Sequence, residues 1–228
     1  MSKDNKKIED NSIQASTRSQ LSELDKYKTK IVDKKIENNK MISLVSGAVA
    51  AMSATTVMSN ILIENYATVA QNTGTLLAMV VYSLGNYLMY KKAKEEKQII
   101  LADPQQEINV INMLKNKLDL LKVRLSQRKL QQATMATAGT GFMGSFVASF
   151  FMQPTNVEGI NTLAIFGAAM AGAVGACSVA TAIRENKNIE YYQTEIADTE
   201  KQIKLAEAKE ETTQEPIVEE QGTQKNLK

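Results

Sequence analysis

Histidine is absent from this chain and cysteine occurs once. Without imidazole there is no histidine general base and no histidine metal ligand. The lone thiol, Cys177, can neither form an intrachain disulfide nor build a thiolate zinc site. Lying mid-way along an apolar run, it reads as a small helix residue. No Walker loop and no G-x-S-x-G elbow is present. The residues Gly139–Thr140–Gly141–Phe142–Met143–Gly144 do match a G-x-G-x-x-G fingerprint. That motif needs a strand before it and a helix N-terminus at it. Here it sits inside an apolar helical run and reads as a packing face. No catalytic residue, cofactor or metal is expected, and the chain is read as a non-enzyme. Basic residues are matched by interspersed acidic ones, with no aromatic stacking platform, so no nucleic-acid partner is expected.

Charge is also missing from two long stretches. Leu130 to Val157 contains no charged residue, and neither does Gly159 to Ile183. Within 41–90 the only one is Glu64. A soluble helix shows charge every turn or two on its wet face, and four such helices could not all be buried by a chain of 228 residues. About 20 helical residues cross the roughly 30 Å hydrocarbon core of a bilayer. The fold class expected is therefore an all-α integral membrane protein. Four transmembrane helices form two hairpins with long cytoplasmic helical extensions. Glu64 and Glu158 fall at the two outer turns and read as residues that keep those turns in water. The apolar region starts only after about 40 polar residues, too late for a cleavable signal.

The chain divides on this basis into four parts. Residues 1–20 are too polar to fold alone and read as a disordered N-terminus. Residues 21–101 carry an amphipathic helix followed by the first hairpin. Asp103–Pro104 breaks the chain, with Asp103 as a helix cap, Pro104 at the first helical position and Gln106 completing a capping-box-like pair. Residues 104–209 hold coiled-coil-like helices and the second hairpin, and 210–228 reads as a disordered tail.

Two kinds of association surface stand out. In lipid, small residues spaced by four let helix backbones approach closely. The first span carries Ser43, Gly47, Ala51, Thr55 and Ser59 at that spacing. The third has Ala136, Thr140, Gly144 and Ala148, and the fourth Ala164, Ala168, Gly172, Ala176 and Ala180. The last two stripes are expected to meet. In the polar extensions Ile111, Leu114, Leu118, Leu121 and Leu125 alternate by three and four, as do Ile189, Tyr192, Ile196, Thr199, Ile203 and Ala206. This is coiled-coil seam spacing. Lysines flank the first seam and glutamates the second, which predicts an antiparallel pair with Glu195 near Lys117 and Glu200 near Lys115. The amides Gln71, Asn72 and Asn86 in or near the second span are expected to bond between helices.

Orientation follows from the cations. The three polar segments hold 10, 10 and 7 of the 27 Lys and Arg, and the two turns hold none. Basic loops stay on the cytoplasmic side. Four spans in the cell membrane with both termini and the central segment cytoplasmic are expected. The bilayer is the first partner, and lysines beside the spans suit anionic lipid heads. Other membrane proteins or further copies of the chain are expected partners too. The leading function is a scaffold, accessory subunit or membrane organiser acting through helix association. The alternative is a pore-forming or secreted membrane-inserting protein. In architecture, not in any motif, the mild hairpins flanked by coiled-coil seams resemble type III secretion translocators and inclusion-membrane proteins.

Overall fold

A computed structural model describes the backbone of residues 3–102, 110–151 and 160–214. Side chains are described from Tyr27 onward, apart from 67, 150, 151, 160–166 and 211–214. The described chain is all helical: α1 (Lys3–Leu62), α2 (Tyr66–Ala102), α3 (Val110–Phe151) and α4 (Ile160–Gln214). Each helix packs antiparallel against its neighbour in sequence, α1 on α2, α2 on α3 and α3 on α4. The result is a row with α1 and α4 at its edges. Every helix carries both an apolar stretch and a polar stretch, and the antiparallel order brings like stretches side by side.

The helix starting at Lys3 runs through residues 3–20, where composition suggested disorder. No Gly or Pro occurs in 1–40, so nothing in the chain stops a helix there. Likewise α4 continues past 209 to Gln214. The remainder of the tail, the Asp103–Pro104–Gln106 cap and the turn around Glu158 lie outside the described residues.

The first hairpin turns within three residues. The Asn65 amide donates to Asn60 O at 2.9 Å and the Glu64 amide to Ile61 O at 3.1 Å, which together make a Schellman closure of α1. Glu64 occupies the left-handed position of that motif, with φ 56°. The Asn65 side chain then caps α2, its Oδ1 accepting from the Thr68 amide at 3.4 Å.

Among the described residues, two helices are long and apolar enough to cross a membrane, over Tyr27–Leu62 and Gly167–Glu210. The sequence suggested four. Of the other two, the α2 stretch is free of charge but diluted by Gln, Asn, Thr, Ser and Gly, which lowers its hydropathy, and the α3 stretch is described only to Phe151, short of the end of its charge-free run at Val157. Only 11% and 22% of the two apolar windows are buried inside the fold. Neither window is mostly covered, as the core helix of a soluble domain would be.

Candidate functional site

Two levels of the row carry its specific chemistry: a close-packed glycine level among the apolar stretches, and a layer of buried ions where those stretches meet the polar extensions.

At the glycine level, α3 touches both its neighbours through one motif. A Cβ on Gly139 would lie 3.0 Å from Gly175 O on α4, and one on Gly175 would lie 3.0 Å from Gly139 O. On the other side, a Cβ on Gly141 would sit 3.0 Å from Gly74 O of α2, and one on Gly74 would sit 2.8 Å from Gly141 O. Residues two apart are separated by about 200° around a helix, so the G-x-G pair can serve two partners. The third glycine, Gly144, is exposed and a Cβ there would meet nothing within 4 Å. Ala78, Ala138 and Phe142 form a small buried cluster alongside. The α1–α2 contact is made by reciprocal bonds: Ser43 Oγ donates to Ser83 O at 3.0 Å, and Ser83 Oγ to Ser43 O at 2.9 Å.

The stripes of four meet these contacts only in part. Ser43 is at the α1–α2 contact, and a Cβ on the half-buried Gly47 would come within 3.2 Å of Ser83 Oγ. Ala51, Thr55 and Ser59 are exposed. A spacing of four advances about 40° per step around the helix, so a long row of that kind spirals off its contact face. Ser46 and Ala50, reached by steps of three, are buried instead. On α3, Ala136, Thr140 and Gly144 are exposed and Ala148 is half-buried. The faces toward α4 and α2 are instead held by Gly139 and Met143, and by Thr134, Gly141 and Ser145. On α4, Ala168 is buried and Gly172 lies under Phe146, whereas Ala176 and Ala180 are exposed. Ala164 lies outside the described side chains. The two predicted stripes therefore do not meet each other; α3 and α4 meet one residue round, at Gly139 and Gly175.

In the polar extensions α3 and α4 run antiparallel along the predicted seams. Ile111, Leu121, Ile189 and Ile203 are buried, and Thr199 is 1% exposed. Leu114, Leu118, Leu125, Tyr192, Ile196 and Ala206 are half-buried. Lys117 meets Glu195 at 3.6 Å. Glu200 meets Lys122 at 3.2 Å and not Lys115, which reaches Glu207 at 2.9 Å. With Lys117 meeting Glu195 as expected, the register is kept and only the partners of Glu200 and Lys115 differ. The amides Asn72 and Asn86 bond not across helices but to their own, donating to Thr68 O at 2.9 Å and Tyr82 O at 2.7 Å. A donor in an apolar stretch is satisfied there without a partner helix.

The buried ions were not legible in composition. Glu96 of α2 has a side chain only 3% exposed. Its carboxylate accepts from Lys35 Nζ of α1 at 3.0 Å, Arg124 Nε of α3 at 2.8 Å and Gln127 Nε2 at 3.0 Å. Lys35 also donates to Gln127 Oε1. One carboxylate thus ties three helices together. Burial pushes its pKa up, but the Lys35 charge and the bonds from Arg124, Lys35 and Gln127 outweigh burial and hold it below the ordinary carboxylate range. A similar centre joins α3 to α4, where buried Glu185 accepts from Arg128 Nη1 at 3.2 Å and Asn188 Nδ2 at 2.9 Å. The signal was spacing: Met89–Ala93–Glu96 and Ala182–Glu185–Ile189 put each glutamate on the inward stripe of its helix. Near this level Lys91 lies over the Tyr87 ring at 4.8 Å and Lys94 over Tyr90 at 4.6 Å.

This arrangement holds helices together. Every buried side-chain polar atom among the described residues has a partner. No described group of three or more Cys, Asp or Glu could hold a metal ion, and Cys177 is exposed. The described residues form an all-helical row of four long antiparallel helices, two of them apolar enough for a membrane. Comparison with protein families, curated proteins and solved structures gives no match.

Proposed function

We propose that the chain is a non-enzymatic, multi-pass membrane protein that works by helix association, as a scaffold, accessory subunit or membrane organiser. In this reading all four helices span the bilayer as two hairpins. Both termini and the 91–129 segment are cytoplasmic, and Glu64 and Glu158 mark the outer turns.

One observation carries the reading. Large apolar side chains face outward on every helix of the row at the charge-free level: Leu44 and Met52 on α1, Leu77 and Leu84 on α2, Val147 on α3 and Met170 on α4. The glycine and serine contacts set those stretches side by side. A soluble surface seldom carries so extended an apolar band, whereas lipid solvates it. The cation distribution supports the orientation, and the exposed Ala136, Thr140, Ala176 and Ala180 supply faces for further helices.

The test is topology. With Cys177 replaced by alanine, single cysteines at Glu64 and at Lys117 are labelled from either side of sealed membranes. Labelling from opposite sides is expected, together with retention in the membrane at alkaline pH. Labelling of both from one side, or release by alkali, would sink the proposal.

A further inference from the structure

The geometry points to a binding site for an anionic phospholipid on the outer face of the α3–α4 pair, an inference that rests on the membrane reading above. A cleft of about 400 Å³ opens there between the two helices. Its apolar lining includes Ala133, Ala136, Val179 and Ile183. The cleft exists because α3 presents only small residues on this side while Val179 and Ile183 rise beside them. At the end toward the polar extensions it is closed by Gln132, whose Nε2 donates to Asn186 Oδ1 and to Ala182 O, the latter at 3.3 Å.

Two lysines stand at this end. Lys129 is four residues before Ala133, and Lys187 is four residues after Ile183, so each continues a wall of the cleft by one helical turn. The helices are antiparallel, so both lie at one level. Each is exposed and has no hydrogen bond or ion pair among the described residues. Their neighbours differ: Arg128 is occupied by Glu185 at 3.2 Å, and Lys122 by Glu200 at 3.2 Å. Arg184 points to another side of α4, and Glu190, the nearest exposed acid on α4, lies about one turn further from the apolar stretch. An acyl chain fits the apolar cleft, and a headgroup phosphate then meets two free ammonium groups and the amide edge of the Gln132–Asn186 bridge. A neighbouring cleft of about 420 Å³ between α2 and α3, lined by Leu77, Val81 and Thr140, lies deeper in the apolar stretch and has no free lysine at its mouth. It serves as an internal control.

The chain has no tryptophan, so one introduced indole reports without background. Ile183 is 65% exposed and lines the cleft, so Ile183→Trp disturbs little packing. The protein is reconstituted in vesicles containing brominated phosphatidylglycerol or brominated phosphatidylcholine. Quenching at 183 should favour the anionic lipid, by on the order of fivefold for each lysine. The preference should vanish in Lys129→Gln/Lys187→Gln, with quenching by the neutral lipid unchanged as evidence of intact insertion. A reporter at Leu77→Trp should show no headgroup preference. Equal quenching by both lipids at 183, or a preference that survives the double substitution, overturns the site but leaves the membrane reading standing. Absence of quenching by either lipid at both reporters overturns the membrane reading and the site with it.

Discussion

Gly139 of α3 and Gly175 of α4 face each other so closely that a side chain on either would strike the other's backbone, with a Cβ 3.0 Å from the opposing carbonyl oxygen. A carbonyl cannot swing away as a flexible side chain can, so the pair sets the distance between the two helices. Gly139→Leu is expected to destabilise the fold by about 1–3 kcal/mol through overpacking. Gly144→Leu, five residues on and facing open space, should leave stability unchanged. Thermal unfolding of the two variants in detergent checks this. Equal loss in both would mean that the helices do not cross at Gly139.

The Glu96 centre predicts an acid-sensitive fold. Its carboxyl is held below the ordinary range in the folded state, so its contribution is complete above the unfolded pKa. That contribution is lost as pH falls through the lower folded value. Glu96→Gln should flatten this part of the stability profile between pH 7 and strongly acidic solution. An unchanged acid limb would show that Glu96 is not the group responsible.

Arg124→Ala removes one partner from a carboxylate that is 3% exposed. Breaking a buried pair from one side costs about 3–5 kcal/mol, because the remaining charge is left under-compensated. Lys35 is 41% exposed and still reaches Glu96, so the loss should lie toward the lower figure. Chemical unfolding monitored by circular dichroism gives the number, and a change under about 0.5 kcal/mol would place Arg124 outside the centre.

The pairs between the α3 and α4 extensions are largely solvated, so each should contribute only about 0.2–1 kcal/mol. Their effect is on register. Reversing Lys117 and Lys122 to glutamate should reduce disulfide crosslinking between cysteines placed at seam positions of the two helices. Reversing Glu195 and Glu200 to lysine in the same chain should restore it. Crosslinking indifferent to both changes would leave the apolar seam as the sole determinant.

Glu64 adopts a left-handed conformation that a side chain disfavours by about 1–2 kcal/mol relative to glycine's freedom. Glu64→Gly is therefore expected to stabilise the first hairpin modestly, and Glu64→Val to destabilise it, since a β-branched residue is least tolerant of positive φ. The order of melting temperatures should be Gly above Glu above Val.

How much was legible in advance varies by residue. The long helices, the turn at Glu64 and the antiparallel relation of the two seams follow from local properties: apolar spacing, charge-free runs and the sign of flanking charges. The faces that meet did not follow. Ala136, Thr140 and Gly144 form as regular a stripe as any in the chain, yet they lie exposed, while Gly139 and Gly141 do the packing. Regular spacing identifies a smooth face but not which neighbour covers it, and α3 as an inner helix must satisfy two neighbours at once.

What the sequence by itself determined is a chain of long uninterrupted helices with charge excluded from two blocks, because helix continuity and hydropathy are properties of consecutive residues. What only the tertiary structure decided is the order and rotation of those helices, and with them the burial of Glu96 among Lys35, Arg124 and Gln127. Those four residues belong to three helices, and their meeting depends on how each helix is turned about its axis. That rotation is set by close contacts such as Gly139 against Gly175, between residues far apart along the chain.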